Sequence, residues 1–337
     1  MLMKKIVVGV VVCMVVAGVA VFYLWHDFQH FAQSPLAENA ADQVFTIAPG
    51  QHFKTVAENL ETEALTASAP KLQLLARLKG WDRQVQAGEY QLSAAMSPLE
   101  MLDAMVTGKV LLYRVTIPEG FSLTQIAQAI EEAGLSSGDE IMTAACQAPL
   151  LEQLGVATAS AEGYLFPDTY LFARNASADE IVAAMVSRFE AVYSAEFHSR
   201  AEALGLTRHE VVTLASIVEK ESGNVSEQPR VASVFHNRLE RGMRLESDPT
   251  VIFGLGDAFD GNLTRQHLHT PNPYNTYTTA GLPPGPIASP GETALKAVLF
   301  PEDSNYLFFV SKNDGSHYFS KTFGEHNRAV RRYQLSN

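Results

Sequence analysis

The sequence predicts an α+β protein hung from a single N-terminal transmembrane helix, and three observations carry that prediction. An uncharged apolar run covers residues 6–25. A strand, glycine turn and helix pattern occurs twice, its copies offset by 70 residues. Beyond residue 137, helical apolar spacing alternates with short β-rich runs and one hairpin signal. The resulting boundaries are 1–5 for a cytoplasmic N-terminus, 6–25 for the span and 26–42 for a tether. A repeat subdomain at 43–136 and a mixed α+β domain at 137–337 follow.

The span comes first. Ile6 to Trp25 is 20 residues without a charge, long enough to cross the hydrocarbon layer as a helix. Lys4 and Lys5 precede it and Asp27 follows, so the positive-inside rule places the N-terminus in the cytoplasm. A cleaved signal peptide would put its small-residue site at Gly18-Val19-Ala20. The apolar run continues through Val21-Phe22-Tyr23-Leu24-Trp25, too long for a signal core. The net charge is −12, with 47% hydrophobic and 18% charged residues, a globular balance. So acidic a surface repels phosphate backbones, which argues against nucleic acid as a partner. Anionic lipid headgroups are opposed by the same charge, leaving a hydrophobic membrane contact. Cys13 lies in the span and Cys146 is the only other cysteine, so core packing must supply the stability.

His26 to Asp42 is polar and alanine-rich, as a tether would be. The repeat follows. Thr46-Ile47, Gly50, Phe53, Val56-Ala57, Leu60 and Leu65 recur as Thr116-Ile117, Gly120, Leu123, Ile126-Ala127, Ile130 and Leu135. Each copy reads as a short strand, a glycine turn and an amphipathic helix. The pattern resembles LysM modules, which bind the N-acetyl sugars of peptidoglycan and chitin. A purely structural repeat with no sugar affinity fits the same residues, since fold likeness does not establish a ligand.

From Ser137 to Leu206 the spacing is mostly helical, broken by the aromatic, Pro-containing segment Glu162-Gly163-Tyr164-Leu165-Phe166-Pro167-Asp168-Thr169-Tyr170. Near the C-terminus, Asn305–Ser311 and Ser316–Lys321 read as strands around Asn313-Asp314-Gly315. Thr322 and Glu325 make a capping box for a last helix.

The chemistry points to the helix that Thr207 and Glu210 open with a capping box and that runs to Gly223. At about 100° per residue, Thr213, Ser216 and Lys220 share a narrow polar arc. Glu219 projects between Ala215 and Val212, and Glu221 between Leu214 and Ile217. Both carboxylates thus lie in the apolar sector of an amphipathic helix, where an unpaired charge is expensive. Each either pairs with a buried arginine, Arg238 or Arg244, or keeps a proton by desolvation and serves as an acid. The two point roughly 160° apart, so they cannot serve one scissile bond together.

Pro229 opens a further helix ending at Gly242, which turns Val231, Val234, Phe235 and Leu239 inward. Ser247-Asp248-Pro249-Thr250 caps a short helix with proline at its first position. Tyr274, Asn275 and Tyr277 then place aromatics beside hydrogen-bonding groups in a loop, and Asn237 lies on the preceding helix. Such a mixture suits a sugar, because pyranose rings stack on aromatic faces and hydroxyls need fixed partners. An ordinary turn packed on the core fits the loop as well. His267 and His269 form only a His-x-His pair, which by itself is no metal site.

Six segments together resemble one family. They are Leu214-Ala215-Ser216-Ile217-Val218-Glu219-Lys220-Glu221, Val231-Ala232-Ser233-Val234-Phe235-His236-Asn237-Arg238-Leu239, Asp248-Pro249-Thr250-Val251, Tyr274-Asn275-Thr276-Tyr277, Gly281-Leu282-Pro283-Pro284-Gly285-Pro286-Ile287 and the segment from Glu162 to Tyr170. Taken in chain order, with the segment from Glu162 to Tyr170 first, and over nearly the whole chain, they resemble the endolytic murein transglycosylase (MltG, YceG-like) family. His236 stands where that family commonly has a bulky apolar residue. The resemblance implies a bitopic inner-membrane protein with a LysM-like subdomain and a periplasmic catalytic domain. It implies a lyase that cuts nascent glycan strands internally, in concert with peptidoglycan synthases (penicillin-binding proteins), without cofactor or metal. It assigns the acid/base to the first Glu of the Val-Glu-Lys-Glu stretch, Glu219. Tyr274, Asn275, Tyr277, Asn237 and Glu162 are then the candidate substrate contacts. A hydrolase using Asp248 or Glu162 to activate water, and a non-catalytic peptidoglycan-binding scaffold, are the rival functions.

Overall fold

A computed structural model describes residues 2–335. The apolar run forms the first part of α1 (Leu2–Gln33), whose side chains from Ile6 to Trp25 are exposed. The helix does not stop where the charge begins. Phe28 and Ala32 are 7% and 3% exposed in a hydrophobic core. The expected tether at 26–42 is thus helical to Gln33, and only the part after it is loop. Its composition is polar, but Phe28, Phe31 and Ala32 recur at helical spacing and give the helix one face to bury.

The chain divides into two compact units, one of residues 1–113 with 173–175 and one of 114–172 with 176–337. The first holds β1 (Gln43–Ile47), α2 (Phe53–Thr62), α3 (Ala69–Lys79), β2 (Gly88–Leu92) and α4 (Pro98–Thr107). β1 and β2 pair antiparallel with Phe45 opposite Tyr90, and both rings are buried. The two helices between them close the pair into one layer over another.

β3 (Leu112–Thr116) and α5 (Leu123–Glu132) form the second copy of the repeat. Gly50 and Gly120 both sit at φ 74°, the left-handed turn that glycine enters without a Cβ penalty. Ile47, Phe53, Val56, Ala57, Leu60 and Leu65 are buried, as are all their partners 70 residues on. The two copies of the repeat fall in different compact units, however. The second copy belongs to the larger unit from Arg114 onward, because its helix buries against α6 (Gly138–Ala144) instead of joining the first core. A short α7 (Ala148–Gln153) follows, and β3 pairs with β4 (Thr169–Ala173).

The larger unit continues with α8 (Ala178–Val192), α9 (Ala195–Ala203) and α10 (Arg208–Glu221). After these come α11 (Gln228–Glu240), α12 (Asp248–Leu255), α13 (Arg265–His269) and α14 (Glu292–Leu299). β5 (Phe308–Ser311), β6 (His317–Ser320) and α15 (Phe323–Tyr333) complete it. The Thr207 and Thr322 capping boxes both form, and Asn313 and Gly315 turn the hairpin at φ 63° and 83°. α10 packs against α9, α11, α12 and α14. Every residue from Val211 to Val218 is buried, including Thr213 and Ser216. The amphipathic reading of this helix was therefore too shallow. Ser216 lies inside because its hydroxyl donates to the Thr213 carbonyl at 2.7 Å and accepts from the Ile287 amide at 3.0 Å. On α11, Arg238 is buried and Leu239 only half so.

Candidate active site

α10 carries its two last carboxylates to opposite sides. Glu219 is half-buried against the glycine turn of β3–α5. A Cβ on Gly120 would lie 3.6 Å from its Cγ, and one carboxylate oxygen accepts from the Gly291 amide at 3.0 Å. Gly291 is the N-cap of α14, so the carboxylate satisfies one of the open amides of that helix. Lys220 donates to the Gly120 carbonyl at 3.1 Å. Burial raises the Glu219 pKa, against the Gly291 hydrogen bond; the Glu119 charge adds to the rise and Lys220 opposes it. The exposed Glu119 side chain reaches over Gly291, where an added Cβ would meet its carboxylate at 1.8 Å.

Glu221 faces a different environment. Its carboxylate accepts from the Ser247 hydroxyl at 2.5 Å. Burial pushes its pKa up to about 7, opposed by that bond, with the Asp248 charge adding to the rise and Arg238 working against it. A cavity of about 450 Å³ opens beside it, lined also by Asp248, Tyr277, Phe308, His317 and Phe323. Neither glutamate takes the expected arginine partner. Arg238 donates to the Leu307 and Leu245 carbonyls at 2.7 and 2.8 Å and pairs with Glu246 at 3.3 Å.

Ser247 is the N-cap of α12 by position, yet its side chain makes no capping bond. Its hydroxyl turns to Glu221 instead, while its amide donates to the Thr276 hydroxyl at 2.9 Å. Thr250 donates to the Ser247 carbonyl at 2.6 Å and lies 2.8 Å from the same Thr276 oxygen. A buried hydroxyl network thus fixes the group that holds Glu221.

Among the expected substrate contacts, only Tyr277 lines this cavity, where its hydroxyl donates to Asp248 at 2.7 Å. The Asn275 amide donates to the carbonyls of His267, Leu268 and Thr270 at 3.2, 3.2 and 2.8 Å, and its oxygen accepts from the Tyr277 amide at 2.9 Å. Asn275 is 1% exposed; it builds the loop that presents Tyr277. Asn237 donates to the Ser304 and Tyr306 carbonyls, both at 2.9 Å. Glu162 accepts from the Leu123 amide at the start of α5, 3.1 Å to each oxygen, and burial raises its pKa to about 7. The Tyr274 ring lies 4.8 Å from that of Phe253, tilted by 57°. All four thus have partners within the protein. His267 and His269 serve their own short helix, through the Thr264 amide and the Arg265 carbonyl.

Sequence reasoning passed over Ser247 as a partner of Glu221 and the hairpin residue Phe308 as a wall of the cavity beside it. Each is brought in from a distant part of the chain, and no local pattern marks it.

Comparison with known proteins gives consistent likenesses. The model of the YceG-like family matches residues 45–332. A Bacillus subtilis protein named endolytic murein transglycosylase is 31% identical over 303 residues, 85% of this chain and 83% of the relative. One of the same name from Streptococcus pneumoniae is 28% identical over 91% of this chain, which spans 61% of that longer relative. A solved YceG-like structure from Listeria monocytogenes superposes with a TM-score of 0.60 at 30% identity, over 86% of this chain and all of that one.

Proposed function

Because this chain belongs to the YceG-like family, we infer that it is an endolytic murein transglycosylase, a lyase whose acid/base is Glu219. It cuts the bond between N-acetylmuramic acid and N-acetylglucosamine within nascent glycan strands and leaves anhydro-muramoyl ends. What supports Glu219 is its position and setting. It is the first glutamate of the Val-Glu-Lys-Glu stretch, it is partly exposed, burial raises its pKa, and the Gly291 amide holds one of its carboxylate oxygens.

The chemistry follows from one carboxyl group used twice. With its pKa raised by burial, Glu219 holds its proton more tightly than an exposed glutamate would. It donates that proton to the glycosidic oxygen as the C1–O bond breaks, helped by the muramoyl N-acetyl group. The carboxylate so formed takes the proton of the C6 hydroxyl while that oxygen bonds to C1. The anhydro ring closes and no water enters. The Gly291 amide holds one carboxylate oxygen in place.

A hydrolase is the second reading, with Asp248, which borders the cavity beside Glu221, activating water. Mass analysis of strand ends from intact sacculi separates the two: anhydro ends are one water lighter than reducing ends. Release of reducing ends alone would establish the hydrolase. No new ends of either kind would leave a binding scaffold.

The same proposal covers the rest of the chain. The first unit, with strand, two helices and strand in order, is LysM-like, and α1 spans the inner membrane with Lys4 and Lys5 in the cytoplasm. The catalytic unit then lies in the periplasm, where peptidoglycan synthases supply its strands.

A further inference from the structure

The net charge of the chain is −12, but its cations are unevenly placed. Between residues 26 and 113 there are six lysines and arginines, and four of them, Lys71, Arg77, Lys79 and Arg83, fall on α3 or the turn after it. Within α3 there is no acid. Its inner face, Ala69, Leu72, Leu75 and Ala76, is buried in the core of the first unit. On its outer face Leu74 and Leu78 are 48% and 60% exposed, one and two turns beyond Lys71 on the same stripe. An acid-free basic helix with an apolar outer stripe is the pattern of a helix that rests in a membrane interface.

α1 supplies the position. Lys71 pairs with Asp27 at 2.6 Å and lies 5.6 Å over the Phe31 ring. Asp27 is two residues past the end of the apolar run at Trp25, about 3 Å farther along the helix axis. The headgroup layer is deeper than that on each side of the hydrocarbon. With Phe28 and Ala32 locked in the core of the unit, α1 cannot swing away from α3. Lys71 is thereby held at headgroup height.

We propose that α3 is a second membrane contact, an interfacial helix whose Leu74 and Leu78 enter the acyl boundary of the outer face while Arg77, Lys79 and Arg83 bind anionic lipid phosphates. Net charge alone argued against anionic lipids; the local distribution reverses that conclusion for this one helix. The proposal rests on α1 as the span. It makes the first unit a rigid foot on the bilayer where a tethered module was expected.

The test uses the full chain with Cys13→Ser and Cys146→Ser, reconstituted in phosphatidylcholine vesicles with or without phosphatidylglycerol. One sample carries Leu78→Cys and another Val16→Cys, each labelled with an environment-sensitive fluorophore. We expect the probe at 78 to shift to the blue, to lose emission to nitroxide-bearing lipids and to resist aqueous iodide, most of all with the anionic lipid. Arg77→Gln with Lys79→Gln should abolish the anionic dependence. A probe at 78 quenched by iodide and untouched by nitroxide overturns the proposal, provided the probe at 16 reports the bilayer. If the probe at 16 is also open to iodide, it is the span that fails. Protection from iodide without nitroxide quenching would mean a protein partner and would equally overturn it.

Discussion

The hydroxyl of Ser247, at the start of α12, donates to the carboxylate of Glu221, at the end of α10, over 2.5 Å. Two elements remote in sequence thus meet at one proton-bearing group. A hydroxyl bonded to a carboxylate stabilises its charged form, so this contact restrains the rise that burial imposes.

Removing the restraint has a sign that can be worked out. In Ser247→Ala the charged form of Glu221 loses a donor, so its pKa rises further from about 7. Titration of the Glu221 carboxyl followed by NMR should find its midpoint moved up by about one unit. An unmoved midpoint would show that Ser247 merely packs.

Stability should depend on the same group. The folded pKa of Glu221, about 7, exceeds its ordinary 4.5 because burial penalises the charge. Its favourable contribution is complete below 4.5 and is lost as pH rises through 7. Glu221→Gln escapes that loss. Denaturant titration should find the variant more stable than wild type above pH 7, by up to about 3 kcal/mol, with the difference closing below 4.5.

Asn275→Ala removes three donated bonds and one accepted bond from a buried site. A loss of about 2–4 kcal/mol is expected, since the partners are left inside without replacements. Tyr277→Phe should leave the fold intact, because it deletes one hydroxyl at the cleft and keeps the ring. Thermal unfolding of the two variants checks the contrast.

Gly163 is fixed by space as well as by backbone. It sits at φ 80°, and a Cβ there would meet Pro286 at 2.4 Å and Val212 at 3.1 Å. Gly163→Ala should therefore cost more than the 1–2 kcal/mol of left-handed strain alone. Gly261, at φ 93° with nothing within 4 Å, is the control: its alanine variant should show the strain and no clash. Chemical denaturation compares them.

The elements were legible in the sequence because their signals are local. Thr207 with Glu210 and Thr322 with Glu325 announced two helices, and the 70-residue offset announced two matching turns. The burial of α10 on all sides was not legible, since Thr213 and Ser216 look polar until Ile287 is brought against them. The same limit governs the site. Helical spacing places Glu219 and Glu221 on opposite faces but not what lies against each. Gly291 meets the first, and Ser247 with the hairpin cavity meets the second. The protein carbonyls that Asn275 and Asn237 bond lie in segments no motif connects.

The central claim is that Glu219 moves the proton, and one comparison tests it directly. Purified wild type, Glu219→Gln and Glu221→Gln are incubated with intact sacculi, and anhydro-muramoyl ends are counted by mass spectrometry. Glu219→Gln should fold and yield no such ends, while Glu221→Gln should yield them at a reduced or normal rate. Anhydro ends from folded Glu219→Gln at the wild-type rate would contradict the account, and their loss in Glu221→Gln alone would move the role to the other face of α10.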